Sequence, residues 1–351
     1  MKKILFINNQ LGGGGAERVL ILIANHLANN KEYSVSILSL HKTKQKYDID
    51  NKVRVNEIDS GDNGTLKTIS TIRKNILEVK PDIVISFEYH MNMKVILATI
   101  GMKKLKIIIS ERNDPAKKGG KFPLKQLRNL LYKKADCLIC QTPDAKKYFP
   151  YGIQTKSVII PNPIKNDLPY AKQENTKKEI VNFCRLEPQK NLKLLIDSFY
   201  EFSREYDDYI LSIYGDGSLR NKLESYIIQL GIQNKVNLYH AIPNIHEKIK
   251  DAMMFVSSSD FEGLSNSMIE AMAIGLPVIC TDCPCGGARM VIENDVNGLL
   301  VPIKDKEKMV EAMKRIASDE NFAKMLAVES IKIRDLLATD KIISTWEKVI
   351  G

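Results

Sequence analysis

Two glutamates that stand eight positions apart in the segment FEGLSNSMIEAM are the residues best suited to chemistry. Glu262 precedes a glycine, and Glu270 lies in an apolar run with helical spacing. Ser265, Asn266 and Ser267, which lie between them, are all good helix N-caps, so a helix is predicted to begin there. Ser267-Met-Ile-Glu270 also fits a capping box, in which Glu270 has only a structural role. That role does not explain Glu262, which precedes the helix.

A helix N terminus at this point predicts a site for a phosphate, because its free N–H groups and partial positive charge favour anions. A phosphate bound there has Glu262 on one side and Glu270 on the other. A carboxylate repels a phosphate, so each acid is expected to accept hydrogen bonds from hydroxyl groups. A nucleotide-sugar carries hydroxyls on both sides of its diphosphate, on the ribose and on the sugar.

Two basic residues five positions apart, Arg185 and Lys190, follow a predicted strand in the segment FCRLEPQKN. A guanidinium offers a planar fork of donors and an ammonium offers a point charge, so the two suit the oxygens of a diphosphate. Taken alone, the pair is better explained as ordinary surface residues.

Four consecutive glycines in LGGGGAERV separate the first predicted strand from the first helix. Glycines let the backbone approach a ligand, and the following helix N terminus points at it. The dinucleotide pattern G-x-G-x-x-G is not met, because Glu17 or Arg18 replaces its third glycine, and no G-K-[ST] follows as in a Walker loop. The glycines therefore favour close approach to a phosphate or a sugar.

The segment from Pro115 to Ala135 carries seven basic residues and no acid. Its leucines recur at helical spacing, which is typical of an ordinary helix that packs them inward. The alternative is a helix that lies on anionic lipid or along a pyrophosphate-bearing acceptor. We predict the second role for five of the basic residues: Lys117, Lys118, Lys121, Lys125 and Arg128.

The charge distribution favours that choice. Residues 1–168 contain 29 Lys and Arg against 15 Asp and Glu, a balance of +14, whereas the rest has 23 against 27, a balance of −4. An excess of this size in one half predicts an anionic partner, such as a membrane surface, a phosphorylated substrate or, on charge alone, nucleic acid.

The chain of 351 residues is long enough for two domains. Short β-rich runs alternate with longer helical patterns, which predicts doubly wound parallel sheets, with ligands beyond the carboxyl ends of the strands. The polar segment 165–178 is the predicted linker. We expect an α/β fold of two Rossmann-like domains facing a central cleft, divided as 1–168, 169–335 and a C-terminal helix, 336–351, that crosses back to the first domain.

The composition predicts a cytoplasmic protein. Apolar runs fall short of the roughly 18 residues of a spanning helix, and the first segment has too few apolar residues for a signal-peptide core. Six cysteines agree with a reducing compartment. Cys280, Cys283 and Cys285 weakly suggest zinc, but buried or loop thiols explain them better, so no metal site is predicted.

These motifs together resemble those of the retaining GT-B glycosyltransferases of glycosyltransferase family 4, over nearly the whole chain. The matching elements are E-x7-E (Glu262 and Glu270), R-x4-K (Arg185 and Lys190), G-G-x-E (Gly14 to Glu17) and NGLLVP (297–302).

The resemblance implies a role for each matched residue. Arg185 and Lys190 would hold the donor diphosphate, Glu270 the ribose hydroxyls and Glu262 the transferred sugar, and we expect Glu262, Arg185 and Lys190 to be catalytic. The remaining donor-binding positions are backbone amides at Gly263, Leu264 and Ser265, and Gly14 and Gly15 from the other domain.

The resemblance also implies a reaction without a divalent metal, in which an acceptor hydroxyl attacks from the face that the diphosphate leaves. Many relatives carry a histidine after the strand matched by LKIIIS; here the chain has Glu111 and Arg112, and we expect one of them to face the sugar. His90, which also follows a strand, is a further candidate.

We therefore expect transfer of a sugar, from a donor that is UDP-linked, to a lipid-linked saccharide during assembly of a surface polysaccharide. The protein would lie peripherally on the inner face of the cell membrane, with no nucleic-acid partner. Two alternatives remain open: a nucleotide-sugar epimerase of the same fold, and a non-catalytic module that binds a nucleotide-sugar.

Overall fold

The computed structural model of the chain describes residues 1–43, 47–58, 64–118, 120–171 and 176–351. The chain divides into two compact units, Met1–Pro163 with Asp340–Gly351, and Ile164–Thr339. The first boundary between the units lies at residues 163–164, just before the predicted linker 165–178. Residues 172–175 of that linker lie outside the described residues.

The described part of the first unit contains a seven-stranded parallel sheet. Its strands are β1 (Lys2–Asn8), β2 (Tyr33–Ser39), β3 (Arg54–Glu57), β4 (Ile83–Phe87), β5 (Lys106–Ser110), β6 (Cys137–Cys140) and β7 (Ser157–Ile159). They lie in the order β3-β2-β1-β4-β5-β6-β7. Strands at the centre of such a sheet are covered on both faces, which is why the β4 sequence IVISF is almost wholly apolar and fully buried.

Helices connect these strands and cover the sheet. They are α1 (Gly15–Asn29), α2 (Thr65–Val79), α3 (Tyr89–Ala98), α4 (Pro115–Lys118), α5 (Leu124–Tyr132), α6 (Pro143–Lys147) and α7 (Tyr151–Gln154). One core cluster lies where α2 and α3 pack on the sheet, and it includes Leu5, Leu38, Ile72, Val84 and Val95.

The second unit repeats this plan with six parallel strands among its described residues. They are β8 (Lys177–Phe183), β9 (Ile210–Tyr214), β10 (Val236–Tyr239), β11 (Ala252–Ser257), β12 (Val278–Thr281) and β13 (Leu299–Val301), in the order β10-β9-β8-β11-β12-β13. Its helices are α8 (Leu192–Phe202), α9 (Arg220–Gln229), α10 (Ile245–Ile249), α11 (Asn266–Ile274), α12 (Lys306–Ser318), α13 (Glu320–Ser330) and α14 (Ile333–Leu336).

Each sheet has one point at which its strand order reverses. In the first sheet it lies between β1 and β4, and in the second between β8 and β11. The connections that leave two such neighbours run to opposite faces, which opens a crevice at the carboxyl edge of the sheet, where ligands bind in folds of this kind. Two doubly wound, Rossmann-like units are thereby confirmed.

The last helix, α15 (Thr339–Ile350), packs with the first unit. Trp346 is fully buried, and its ring stacks on Phe87 of β4 with 5.9 Å between centroids. Asn30 Nδ2 donates to Glu347 Oε1 at 3.0 Å, and Lys106 Nζ donates to the Val349 carbonyl at 2.6 Å. Residues 340–351 therefore complete the core of the first unit.

In the portions of the chain that the structure describes, every helix is too short or too polar to cross a bilayer.

Candidate functional site

The loops after β8 and β11 bring two predicted site residues into contact. Lys190 ends a short 3-10 turn (Pro188–Lys190), and Glu262 lies between β11 and α11. Lys190 Nζ forms an ion pair with Glu262 Oε1, although the residues are 72 positions apart. Their side chains are only 14% and 16% exposed, and Ser259 Oγ donates to the same carboxylate oxygen at 3.0 Å. This pair lies at the switch point of the second sheet.

Hydrogen bonds between the two loops hold Lys190 in place. Gln189 Nε2 donates to the Phe261 carbonyl at 2.8 Å, and the Asp260 amide donates to the Gln189 carbonyl at 2.9 Å. Asn191 adopts a left-handed conformation, with φ of 43°, and its Nδ2 donates to Asp260 Oδ1 at 2.9 Å. Asparagine tolerates this conformation better than most residues, so the turn that presents Lys190 follows from the sequence KN.

The charge on Lys190 is set by two opposing effects. Burial lowers the pKa of its ammonium, but the attraction and hydrogen bond of Glu262 outweigh it, so the pKa of Lys190 is raised above its ordinary value. Arg185, whose positive charge is near enough to oppose this rise, is exposed after β8. Lys190 is therefore a cation at neutral pH.

Helix α11 begins at Asn266, with Ser265 as its N-cap. Ser265 Oγ accepts from the Met268 amide at 3.5 Å. The capping box predicted for Ser267 and Glu270 is therefore wrong, because the helix starts two residues earlier and the position three after its N-cap is Met268. Glu270 lies in the second turn of the helix and is only 2% exposed.

Glu270 contacts a histidine that sequence reasoning left without a role. His246 Nε2 lies 2.8 Å from Glu270 Oε2, and both side chains are buried. His246 is in α10, whereas Glu270 is in α11, so no spacing rule along the chain links them. The sequence carries no signal for this contact beyond the scarcity of histidine, of which the chain has five.

The loop that carries Glu262 is backed by a glycine. A Cβ on Gly287 would lie 1.7 Å from the Gly263 carbonyl oxygen, so any larger residue would push the loop away. Gly263, Leu264 and Ser265 are all buried between this glycine and α11.

The cysteines near this loop are free thiols. Cys280, Cys283 and Cys285 are buried, and Cys283 Sγ donates to the Ser259 carbonyl at 3.2 Å. No group of three His, Cys, Asp or Glu residues suited to a metal ion occurs among the residues that the structure describes.

In the first unit, the glycine-rich loop ends at the N terminus of α1. Gly14 is the N-cap, and a Cβ on it would lie 2.2 Å from Glu17 Oε2, at the end of the Glu17 side chain. An acid in the first turn is stabilised by the helix dipole. Gly13, with φ of 84°, takes the left-handed turn. Gly14 and Gly15 thus lie beyond β1, at the switch point of the first sheet.

Glu111 follows β5 and belongs to a buried polar network. Its carboxylate accepts from the Tyr132 hydroxyl, which in turn accepts from Asn92 Nδ2 at 3.1 Å. Asn92 Oδ1 accepts from Ser86 Oγ at 2.8 Å. Burial raises the pKa of Glu111 to about 7, although the Tyr132 hydrogen bond and the Arg128 charge act against the rise.

Arg112, the next residue, is also buried. Its guanidinium lies 4.9 Å from the centre of the Phe87 ring and donates to Asn162 Oδ1. Burial lowers the pKa of Arg112 to about 9. His90, at the start of α3, is exposed, and partial burial of its ring, with the charges of Lys94 and Lys118, lowers its pKa.

The basic segment divides into exposed and buried residues. Lys117, Lys118 and Lys121 are exposed, and Lys125 Nζ lies 4.7 Å above the Tyr148 ring. Arg128 is fully buried: its Nη1 donates to the Pro115 carbonyl at 2.8 Å, and its guanidinium packs on Tyr148 and Phe149. The prediction that Arg128 faces a membrane or an acceptor phosphate is therefore wrong, because no part of its charge reaches the surface.

The leucines of this segment do not all pack inward. Leu131 is buried, but Phe122, Leu127 and Leu130 are 76%, 45% and 60% exposed. Leu127 and Leu130 are three positions apart on α5 and so share a face. Large apolar side chains are thus presented to solvent next to the exposed lysines.

Two protein-family models match the chain, one over each of its halves. Residues 13–168 match the model described as Glycosyltransferase Family 4, and residues 165–332 match that described as Glycosyl transferases group 1. An uncharacterized glycosyltransferase from Methanocaldococcus jannaschii is 32% identical over 340 residues, covering 81% of this chain and 83% of the relative.

The name of a second relative states its activity. The Campylobacter jejuni GalNAc-alpha-(1->4)-GalNAc-alpha-(1->3)-diNAcBac-PP-undecaprenol alpha-1,4-N-acetyl-D-galactosaminyltransferase is 29% identical over 336 residues, covering 93% of this chain and 92% of the relative. Among solved structures, Anabaena HepE in complex with UDP and glucose has the same fold, with a TM-score of 0.85 at 17% identity, covering 100% of this chain and 99% of that one. Taken with the two matching models, which meet near residue 165, these relatives show that the chain belongs to the GT-B glycosyltransferases of the family 4 type.

Proposed function

We propose that this glycosyltransferase moves a sugar from a UDP-sugar to a lipid-linked saccharide, with retention of configuration at the anomeric carbon. The observation that carries the proposal is the ion pair between Lys190 and Glu262, next to the N terminus of α11. It holds a cation suited to a diphosphate against an acid suited to a sugar hydroxyl. A nucleotide-sugar presents these two groups side by side.

Each residue of the site then has a role. Arg185 and Lys190 bind the diphosphate, helped by the backbone amides of 263–265 at the start of α11. Glu262 binds the transferred sugar and Glu270 the ribose. In the first unit, Gly14 and Gly15 lie at the N terminus of α1, whose partial positive charge also suits an anion.

The proposed reaction needs no general base from the protein. The acceptor hydroxyl attacks the anomeric carbon on the face from which UDP departs; the new C–O bond forms as the bond to the phosphate oxygen breaks. UDP takes the bonding electrons, and the hydroxyl proton passes to the departing phosphate oxygen. Lys190 and Arg185 stabilise the charge that develops on the diphosphate, so we propose that no divalent metal is required.

The proposed acceptor rests on the name of one relative and on exposed side chains of the first unit. The relative from Campylobacter jejuni is named for a saccharide on undecaprenol diphosphate, a lipid. Phe122, Leu127 and Leu130 are exposed beside Lys117 and its basic neighbours. Apolar and cationic groups together suit a bilayer surface with anionic headgroups, so we place the protein peripherally on the inner face of the cell membrane.

The test is transfer from radiolabelled UDP-sugars to undecaprenyl diphosphate-linked saccharides. We expect Glu262→Ala to lower transfer by about 100-fold or more, because the sugar is no longer held for attack. Glu307→Ala, which removes an exposed acid of the same unit, is the matched control and should keep full activity. A fully active Glu262→Ala variant would refute the assigned site.

Two further readouts of the same assay separate the alternatives. Product NMR should show the anomeric configuration of the donor, and an inverted product would contradict the proposed mechanism. Incubation with donor alone should leave the sugar unchanged, whereas an epimerase would convert it.

A further inference from the structure

His246 contacts a buried acid, Glu270, that the proposed function assigns to the ribose. Glu270 is 2% exposed, on a helix whose other residues from Met268 to Ile274 are apolar and buried. A carboxylate in such surroundings must be hydrogen-bonded to remain charged without a large cost in free energy. His246 Nε2, 2.8 Å from Glu270 Oε2, supplies a hydrogen bond.

His246 is itself held in a fixed position. It lies in the first turn of α10, after Asn244 in a left-handed conformation with φ of 54°. Its ring meets Phe183, at the end of β8, edge to face, with 5.8 Å between centroids. Phe183 packs in turn on Phe255 of β11. The imidazole is thus packed against the end of β8 and carried by the first turn of α10.

The direction of the hydrogen bond follows from the groups involved. An ionised carboxylate only accepts, so Nε2 carries the hydrogen and donates it to Glu270. A carboxylate has about four acceptor sites, so the bond from His246 helps to fix its plane and still leaves sites for ribose hydroxyls. Without that donor, the carboxylate loses a hydrogen bond that restricts its rotation about its last side-chain bond.

We propose that His246 is a positioning residue that orients the Glu270 carboxylate toward the ribose hydroxyls and thereby makes the site selective for ribonucleotides. The inference rests on the proposed function, because it requires that Glu270 binds the donor ribose. It assigns a role to a side chain outside the E-x7-E and R-x4-K elements, and it makes nucleotide selectivity a property of α10 as well as of α11.

The experiment measures the affinities of UDP, 2′-deoxy-UDP and 3′-deoxy-UDP by calorimetry, for the wild type and three variants. His246→Phe keeps a ring against Phe183 but has no donor, and His246→Gln keeps an amide donor. Glu270→Ala removes the acid itself. The wild type should bind UDP about tenfold or more tightly than either deoxy analogue, the range for hydrogen bonds to a charged group.

His246→Phe should reduce this preference to about threefold or less while binding the deoxy analogues as the wild type does, and His246→Gln should recover part of the preference. A merely structural histidine would behave differently, because its loss would weaken all three nucleotides alike. That result, or an unchanged preference in His246→Phe, would overturn the inference.

The Glu270→Ala variant separates this inference from the proposed function. If it loses the preference while His246→Phe retains it, the ribose assignment stands and the role of His246 does not. If Glu270→Ala retains the preference, or if the wild type shows none, the ribose assignment itself is wrong and the inference falls with it.

Discussion

At single residues in this protein, burial and contacting groups together decide whether a side chain is charged, and Glu111 is the clearest case of burial prevailing. Its carboxylate is buried and hydrogen-bonded by the neutral Tyr132. Burial therefore keeps the proton on it to higher pH than usual, with a pKa raised from 4.5 to about 7. Lys190 shows the opposite balance, because a contacting carboxylate keeps its charge in a buried place.

The raised pKa of Glu111 predicts a pH dependence of stability. Between pH 4.5 and about 7 the native state holds a proton that the unfolded chain has released, so this group makes the free energy of unfolding fall as pH rises through that window. Glu111→Gln should remove a penalty of about 3 kcal/mol above pH 7 and flatten the slope below it. Urea unfolding at pH 5, 6, 7 and 8 measures both.

Glu307→Gln, at an exposed acid, is the control for that series and should follow the wild type at every pH. A Glu111→Gln protein with the same slope as the wild type would mean that Glu111 titrates at an ordinary pH in the folded state.

Among the elements, the loops after strands position the site. The loop after β11 carries Glu262, and its path is fixed from behind by Gly287, which approaches the Gly263 carbonyl more closely than any side chain allows. The loop after β8 is tied to it through Gln189 and Asn191. Two loops far apart in sequence are thus held together within the second unit.

Gly287→Ala should therefore displace the loop that carries Glu262. The added methyl group would meet backbone rather than a movable side chain, so we expect a loss of about 1–3 kcal/mol in stability and a larger loss of transfer activity. Gly152→Ala is the matched control: nothing lies within 4 Å of its Cβ position, and that position is helical. Chemical denaturation and the transfer assay measure the two effects.

Equal behaviour of the two glycine variants would mean that the loop yields without moving Glu262. A Gly287→Ala protein that keeps its stability but loses transfer would instead assign the glycine to the donor site itself.

The sequence predicted the strands well because strands in a buried parallel sheet are continuous apolar runs bounded by polar turns. β13 was not predicted, because its residues lie in NGLLVP, which was interpreted as a family motif and not as a strand. The ion pair between Lys190 and Glu262 agrees with the prediction that both residues bind one ligand. No pattern in the sequence predicts that the two side chains touch. The burial of Arg128 was missed because helical spacing does not reveal that Tyr148 and Phe149 cover it.

The capping box failed for a similar reason. Three consecutive residues, Ser265, Asn266 and Ser267, are all good caps, and sequence alone does not choose among them. In the structure the helix starts at Asn266 with Ser265 as its cap, and Glu270 in the second turn contacts His246.

At the scale of the whole molecule, charge is divided unequally along the chain, with +14 in residues 1–168 and −4 in the remainder. The exposed lysines and the apolar side chains of α5 give that excess a defined surface. Long-range attraction to an anionic bilayer and insertion of Leu127 and Leu130 would then act on the same face.

Membrane binding is therefore predicted to depend on both kinds of group. Changing Lys117, Lys118, Lys121 and Lys125 together to Gln should lower binding to phosphatidylglycerol-containing vesicles by about 100-fold or more at low salt, given roughly 1 kcal/mol per lysine near such a surface. Leu127→Gln with Leu130→Gln should weaken binding as well, through lost apolar contact. Vesicle sedimentation at several salt concentrations measures each effect.

The matched control changes four exposed lysines of the same unit that lie toward the amino ends of its strands: Lys74, Lys80, Lys103 and Lys104. It lowers net charge equally and should keep most of the binding. If both sets weaken binding to the same degree, net charge rather than the α4–α5 surface is responsible, and unchanged binding in the first set defeats the membrane proposal.

The packing of Trp346 on Phe87 has a consequence for the order of events on the ribosome. Residues 340–351 belong to the first unit but are synthesised only after the entire second unit, Ile164–Thr339. While the second unit is being synthesised, the face of Phe87 that Trp346 later covers remains exposed. Exposed apolar surface of this kind favours chaperone binding to the nascent chain, and it also favours aggregation. The first half of the protein to be made is thus the last to be finished.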